Sequence, residues 1–145
     1  MKKNRVLFLC TGNSCRSQMA EAIVNARCST RWQAFSAGTR PANSVHPLVP
    51  RVLAEAGIPC AGKPKDMNTF NGEPFDLVVT LCDSAQQECP IWLGSGDRMH
   101  HDYPDPGLVE GAEAERLSAF RKVRDEMLLD IPYILEKHRA DKRDL

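Results

Sequence analysis

Short apolar runs and stretches of helical periodicity alternate along the chain. Most of the predicted strands are runs rich in apolar residues that end near glycine or polar residues. Strands are predicted at 5–10, 32–37, 76–82 and 98–103. Where apolar residues recur every three or four positions, helices are predicted at 17–28, 47–56 and 114–137. This alternation is typical of an α/β protein.

The remaining segments are predicted to be mostly loops. Residues 63–72 fit a loop with a helical turn, 84–89 fit either a short helix or a loop, and 104–112 fit a loop. Pro132 is expected to kink or divide the last helix, since proline removes a backbone donor. The residues after Lys137 are expected to be frayed.

The predicted fold is a three-layer α/β fold, with a small parallel sheet of about four strands and helices on both faces. No repeat or linker divides the chain, so residues 1–145 are expected to form a single domain. Ligands of such sheets bind at the carboxyl ends of the strands. Because Cys10 and Cys82 each end a predicted strand, they should reach the same edge.

The charge balance excludes some partners. With 19 basic and 19 acidic residues, no general attraction to nucleic acid or to a membrane surface is expected. No apolar run is long enough to span a membrane, and the first residues do not resemble a signal peptide. We expect a monomer in the cytoplasm. Permanent disulfides are rare in that compartment. The cysteines to be explained are Cys10, Cys15, Cys28, Cys60, Cys82 and Cys89.

The segment CTGNSCRS, residues 10–17, joins the first strand to the first helix. Backbone N–H groups of such a loop can surround an anion, and Arg16 adds a bidentate fork for a tetrahedral oxyanion. That positive field favours the Cys10 thiolate, a nucleophile. The alternative is a buried strand cysteine before an ordinary turn, which the combination of strand, polar loop and helix disfavours. The predicted oxyanion-binding residues are Thr11, Gly12, Asn13, Ser14, Cys15, Arg16 and Ser17.

CTGNSCRS resembles the active loop of the low-molecular-weight protein tyrosine phosphatases. Its continuation QMAEA is similar to that of the thioredoxin-coupled arsenate reductases, which share that fold, and Gln18 stands where the phosphatases usually have proline. The resemblance covers most of the chain, through FSAG (35–38), DLVVTLC (76–82), Cys89, DPG (105–107) and FRKVRDEM (120–127). The Cys82–Cys89 pair indicates the reductase branch.

The resemblance implies a low-molecular-weight-phosphatase-like fold and a three-cysteine reduction of arsenate, with phosphate and sulfate as competing oxyanions. Cys10 attacks arsenate, Cys82 attacks Cys10 and releases arsenite, and Cys89 takes over the disulfide, which thioredoxin reduces. If residues 82–89 are helical they must unwind, because residues seven apart in a helix are separated by about 10 Å.

Other interpretations of these cysteines stay open. Cys82 alone fits an apolar residue at a strand end, and Cys89 alone fits a solvent-side thiol. A zinc site from Cys82, Cys89, His100 and His101 is disfavoured, because the gap between the cysteines is longer than the usual chelate spacing. Cys15 is interpreted as a residue that packs the loop, and Cys28 and Cys60 as structural.

Asp105, between two prolines after the last predicted strand, is the candidate general acid for the leaving oxygen. The alternative is an ordinary turn aspartate. Two features depart from the family: Gly107 replaces its usual alanine, and the stretch 107–116 is longer than usual.

No tightly bound cofactor is expected, and a potassium ion is the candidate that the resemblance adds. The matching positions are Asn13, Glu21, Ser36 and Asp66. Ser14 and Ser17 are expected to donate hydrogen bonds to the Cys10 thiolate, and His46 is expected to lie on the surface.

Three functions therefore compete. The favoured one is a thioredoxin-recycled arsenate reductase with weak phosphatase activity. The second is a tyrosine phosphatase with the same Cys10, Arg16 and Asp105, although no aromatic residue follows Gly107 to wall its pocket. The third, a non-enzymatic binding module, is disfavoured by that intact set. A glutaredoxin donor in place of thioredoxin also stays open.

Overall fold

A four-stranded parallel sheet with the strand order β2-β1-β3-β4 organises the computed structural model, which describes residues 2–83, 85 and 96–143. The strands are β1 (Asn4–Cys10), β2 (Trp32–Gly38), β3 (Leu77–Thr80) and β4 (Asp97–His100). The helices are α1 (Arg16–Arg27), α2 (Leu48–Glu55) and α3 (Glu113–Arg143). Two short 3-10 turns cover Met67–Phe70 and Pro106–Leu108. The predicted α/β class is confirmed.

The central strand β1 reads as a continuous apolar run because both of its faces are covered. Its residues Val6 to Cys10 are buried without alternation. Helix α1 packs against β1 and β2, and α3 packs against α1 and α2. Ser36 of β2 reaches Glu21 of α1, so the neighbouring Phe35 lies on the opposite face of the sheet. There it packs edge-on against Phe70 and Phe75.

Strand register brings the strand ends to one edge. Cys10 pairs with Gly38, Leu9 with Thr80, and Thr80 with His100. Strand β3 ends two residues before the predicted Cys82, although the Leu81 N–H still donates to the Leu9 carbonyl at 2.8 Å. Strand β4 likewise ends at His100 and not at residue 103.

Helix α3 departs from its prediction at two points. It runs through Pro132 undivided, with Ile131 and Leu135 on either side of the proline buried in the core. It also continues past Lys137 to Arg143, because its last turns are tied to the sheet. His138 Nε2 lies 2.7 Å and Lys142 Nζ 3.1 Å from the Asp97 carboxylate of β4. In the described ranges, no helix combines the length and the apolar character needed to cross a bilayer.

Candidate active site

The loop after β1 and the chain after β3 meet at the carboxyl edge of the sheet. Cys10 is the last residue of β1 and is 2% exposed. Cys82 is also buried, and its Sγ lies 3.4 Å from Oγ1 of Thr11. The two thiols that the sequence places at strand ends therefore flank one residue of the loop.

Backbone carbonyls of the loop point away from the Cys10 sulfur. The carbonyls of Cys10, Thr11, Gly12 and Ser14 accept hydrogen bonds of 2.8–3.1 Å from N–H groups in the segment 39–46. Since C=O and N–H point in opposite directions across a trans peptide, the intervening N–H groups turn to the other side. The Asn13 N–H indeed donates to Cys10 Sγ at 3.2 Å. The loop thus forms a concave set of donors around the thiol, as an oxyanion requires.

Ser17 lies within hydrogen-bond distance of Cys10. Its Oγ accepts a hydrogen bond of 2.7 Å from Asn13 Nδ2 and lies 2.8 Å from Cys10 Sγ. That oxygen accepts from Asn13, and when Cys10 is a thiolate the Ser17 hydroxyl is the donor to its sulfur. A hydroxyl that donates to sulfur stabilises the thiolate form. Ser14 Oγ was also expected to donate a hydrogen bond to Cys10. It lies instead 3.7 Å from Cys15 Sγ.

Asn13 combines an unusual backbone conformation with side-chain hydrogen bonds that hold the loop. Its φ of 51° is left-handed, a conformation that asparagine tolerates better than most residues. Its Oδ1 accepts from the Lys65 backbone N–H at 2.9 Å and from Gln18 Nε2 at 3.2 Å. Gly38 allows this close packing, since a Cβ there would lie 2.6 Å from the Thr11 carbonyl oxygen.

Arg16 is held on one side and free on the other. Its side chain is 11% exposed; Nη1 donates to the Tyr103 carbonyl at 3.1 Å, and Nη2 lies 3.6 Å from Asp105 Oδ2. Its Nε is buried and has no hydrogen-bond partner within the described part of the chain. An oxyanion in the loop would satisfy that donor.

Asp105 lies beside Arg16. Its Oδ1 accepts from the Gly107 N–H at 2.9 Å and caps the turn Pro106–Leu108. Its Oδ2 is turned towards Arg16. The structure therefore pairs Asp105 with Arg16, at the end of the loop that begins at Cys10. The catalytic roles of the three residues stay predictions.

Burial affects the thiols of Cys15, Cys28 and Cys60. Burial raises the pKa of the Cys15 thiol to about 11 and also raises the pKa values of Cys28 and Cys60. Cys15 therefore stays protonated near neutral pH, which agrees with a packing role. Cys10, Cys15, Cys28, Cys60 and Cys82 are all free thiols. Cys89 lies outside the described residues.

The predicted cation ligands are brought only partly together. Ser36 Oγ donates to Glu21 Oε1 at 3.3 Å, but Asn13 Oδ1 already accepts two hydrogen bonds. Asp66 is exposed, and its Oδ1 accepts from the Asn68 N–H at 2.8 Å. Burial raises the pKa of Glu21, which Lys65 partly offsets.

Gln18 is the residue that the sequence prediction of this cation site misses. Its Oε1 is buried without a hydrogen-bond partner among the described residues. It faces the same point as Glu21, since a Cβ on Gly62 would lie 2.2 Å from Gln18 Oε1 and 2.9 Å from Glu21 Oε2. The one signal in the sequence is that glutamine stands where the phosphatases usually have proline. An orphan carbonyl oxygen beside a half-buried carboxylate fits a cation such as potassium.

The two histidines of the alternative zinc site lie in other contacts. His100 contacts Thr80 and Asp83, and His101 pairs with Asp130 at 3.3 Å. In the described ranges, the set of ligand atoms close enough for a metal is Asp83, His100 and Asp102, which includes neither Cys82 nor His101.

The chain is similar in sequence to proteins of one known family. The sequence pattern of the low molecular weight phosphotyrosine protein phosphatase family matches residues 5–143. An arsenate reductase of Halalkalibacterium halodurans is 40% identical over 130 residues, which cover 88% of this chain and 91% of that protein. An arsenate reductase of Bacillus subtilis is 37% identical over the same shares of the two chains.

Solved structures agree in fold. An arsenate reductase in the phosphate-binding state superposes with a TM-score of 0.74 at 27% identity, covering 92% of this chain and 98% of its own. A low molecular weight protein tyrosine phosphatase from T. tengcongensis superposes with a TM-score of 0.78, also at 27% identity, covering 93% and 99%. A thioredoxin-dependent arsenate reductase of Corynebacterium glutamicum gives 0.70 at 25% identity, covering 96% of this chain and 63% of that one.

Proposed function

The chain belongs to the low molecular weight phosphotyrosine protein phosphatase family, and we propose that within it the protein reduces arsenate to arsenite. The observation that carries this proposal is the second thiol at the pocket, Cys82, whose sulfur lies 3.4 Å from the Thr11 hydroxyl. A phosphatase needs one nucleophilic thiol, whereas a two-electron reduction consumes two. The reductase names of the relatives at 37–40% identity support the same activity.

The first step is attack of the Cys10 thiolate on arsenic. The loop N–H groups and Arg16 hold the oxyanion, and the hydroxyl of Ser17 supports the thiolate at 2.8 Å. One arsenic–oxygen bond breaks as the sulfur–arsenic bond forms. Asp105 supplies the proton with which the departing oxygen leaves as water.

The second step transfers two electrons. The Cys82 thiolate attacks Cys10 Sγ, the sulfur–arsenic bond breaks, and its electron pair reduces arsenic from the pentavalent to the trivalent state. Arsenite leaves, and a Cys10–Cys82 disulfide forms. Cys89 then attacks Cys82 and frees Cys10. The dithiol of thioredoxin reduces the Cys82–Cys89 disulfide in the reducing cytoplasm.

A weak phosphatase activity accompanies this reaction, because hydrolysis of a phosphoester uses the same Cys10, Arg16 and Asp105. The pocket wall disfavours phosphotyrosine as the main substrate. Leu108, after Gly107 in the acid loop, is aliphatic and 77% exposed, whereas an aromatic residue there would stack on a tyrosine ring.

A potassium ion beside the loop is the candidate cofactor. Glu21 and the orphan Oε1 of Gln18 are its best-placed ligands, with Ser36 and Asn13 adjoining and Asp66 at the rim. The ion would neutralise Glu21 and brace Asn13, whose amide holds Ser17. It takes no part in electron transfer.

The deciding experiment is arsenate-dependent consumption of NADPH with thioredoxin and thioredoxin reductase, compared with glutathione and glutaredoxin. We expect turnover with the thioredoxin system and none for Cys10→Ser. Turnover by Cys10→Ser at the wild-type rate contradicts the mechanism, and turnover with glutaredoxin alone contradicts the proposed donor.

A further inference from the structure

Tyr103 joins three parts of the site. Its side chain is buried, and its backbone carbonyl accepts the hydrogen bond from Arg16 Nη1 at 3.1 Å. Its own N–H donates to the Leu81 carbonyl at 3.1 Å, one residue before Cys82. It also lies two residues before Asp105. A shift of Tyr103 would therefore move the partner of Arg16 and the start of the acid loop together.

Asp130 of helix α3 holds this residue from the far side. Its Oδ2 accepts a hydrogen bond of 3.1 Å from the Tyr103 hydroxyl and lies 3.3 Å from His101 Nε2. The rings of His101 and Tyr103 also pack together, with centroids 4.8 Å apart. Burial and the Asp130 charge raise the pKa of Tyr103, so its hydroxyl remains a donor at any ordinary pH.

Arg16 links the Tyr103 carbonyl to the predicted oxyanion site. The guanidinium plane is fixed by the Tyr103 carbonyl at Nη1 and by Asp105 near Nη2, which leaves Nε for the ligand. A bidentate fork loses its fit when its plane rotates or shifts by a fraction of an ångström. The buried tyrosine ring connects the half-buried Asp130 carboxylate of α3 rigidly to that carbonyl.

We infer that Asp130 is a positioning residue, which sets the Arg16 guanidinium for oxyanion binding through the Tyr103 hydroxyl. The effect of Asp130 on arsenate reduction rests on the proposed function. Its effect on oxyanion binding does not. Asp130 acts on Arg16 indirectly. Of its two partners, His101 and Tyr103, it is Tyr103 that bonds to Arg16.

The experiment compares Tyr103→Phe, Asp130→Ala, their double variant and Asp130→Asn. Affinity for inorganic phosphate is read by calorimetry and by protection of Cys10 from iodoacetamide; KM and kcat for arsenate and the melting temperature are measured in parallel. Asp141→Asn is the matched control, because it removes an exposed carboxylate from the same helix.

Both single variants are expected to weaken phosphate binding by about fivefold, as expected for one hydrogen bond, and to raise KM for arsenate more than they lower kcat. The double variant should be no weaker than either single one, because both remove the same bond. Asp130→Asn should restore most of the affinity, since its amide oxygen accepts from the same hydroxyl. Asp141→Asn should match the wild type.

Unchanged phosphate affinity in Tyr103→Phe and Asp130→Ala overturns the inference, even if both melt at lower temperature. Losses that multiply in the double variant, or an Asp130→Asn as weak as Asp130→Ala, overturn it as well. Phosphate binding does not depend on reduction. If no arsenate turns over while the phosphate results hold, the proposed function fails and the role of Asp130 stands.

Discussion

The sulfur of Cys82 lies 3.4 Å from the hydroxyl of Thr11, the residue that follows Cys10, the proposed nucleophile. The contact joins residues 71 positions apart because β1 and β3 are neighbours in the sheet. A hydroxyl donor stabilises a thiolate more than a thiol. A Thr11 hydroxyl that donates to Cys82 would favour its thiolate, the form that attacks Cys10 in the proposed relay.

Thr11→Val removes this donor while keeping the shape of the side chain. We expect formation of the Cys10–Cys82 disulfide after one addition of arsenate to slow by about tenfold, the effect of a lost hydrogen bond to a charged group. Rapid quenching followed by peptide mass spectrometry measures the rate. Thr11→Ser should restore it; equal rates in wild type and Thr11→Val would show that the contact does not matter.

The periodicity of the sequence predicts the helices to within one or two residues for α1 and α2, because local burial patterns determine those bounds. It misplaces the end of α3, where the pairing of His138 and Lys142 with Asp97 is a long-range contact. The periodicity also overestimates the length of β3. The apolar run continues through Leu81 and Cys82, and hydrophobicity does not mark where strand pairing stops.

The same distinction holds for the site. Cys10, Arg16 and Asp105 stand in recognisable local motifs, so the sequence predicts them. Tyr103 and Asp130 belong to no motif, and their contact depends on how α3 lies along β4. The bond from the Lys65 backbone to Asn13 likewise has no local signal, because it joins residues 52 positions apart.

Gly38→Ala tests whether close packing of β2 fixes the oxyanion loop. The added Cβ would lie 2.6 Å from the backbone oxygen of Thr11, and a backbone atom cannot move away cheaply. We expect a loss of about 2 kcal/mol in the free energy of unfolding, typical of overpacking, together with weaker phosphate binding. Urea denaturation measures the first effect.

Gly12→Ala is the stability control for that variant, because its Cβ would meet Ser14 Oγ at an ordinary 3.5 Å. Its free energy of unfolding should change by less than about 0.5 kcal/mol. Equal stability of Gly38→Ala and the wild type would mean that the loop adjusts freely.

Potassium should stabilise the protein more than sodium does, and only where Glu21 is ionised. Burial raises the pKa of Glu21, so the folded state holds this proton more tightly than the unfolded state. Without a cation, the contribution of Glu21 to stability is complete below its unfolded pKa and is lost as the pH rises through the folded value. A bound cation offsets that loss.

The melting temperature in potassium and sodium chloride, at about pH 8 and about pH 4.5, measures this dependence. The advantage of potassium should be present at the higher pH and fade at the lower one. Glu21→Gln should remove it, whereas Glu110→Gln, which changes an exposed glutamate, should retain it. Identical melting in the two salts at the higher pH argues against the site.

Cys89→Ser separates a reductase with a three-cysteine relay from a phosphatase with incidental thiols. The variant keeps Cys10 and Cys82, so it can form the thiol–arsenate and release arsenite once. It cannot pass the disulfide on, because the attacking thiol is missing. It should therefore stop after about one turnover, with a Cys10–Cys82 disulfide visible by peptide mapping under non-reducing conditions.

Phosphoester hydrolysis is the internal control for Cys89→Ser. Hydrolysis of p-nitrophenyl phosphate consumes no reductant, so the reduced Cys89→Ser protein should hydrolyse it at close to the wild-type rate while arsenate reduction stops. Cys28→Ser, which changes a half-buried thiol outside the pocket, should sustain both reactions. Many thioredoxin-driven turnovers by Cys89→Ser at the wild-type rate would rule out the relay, because an external thiol would then resolve the Cys10–Cys82 disulfide directly.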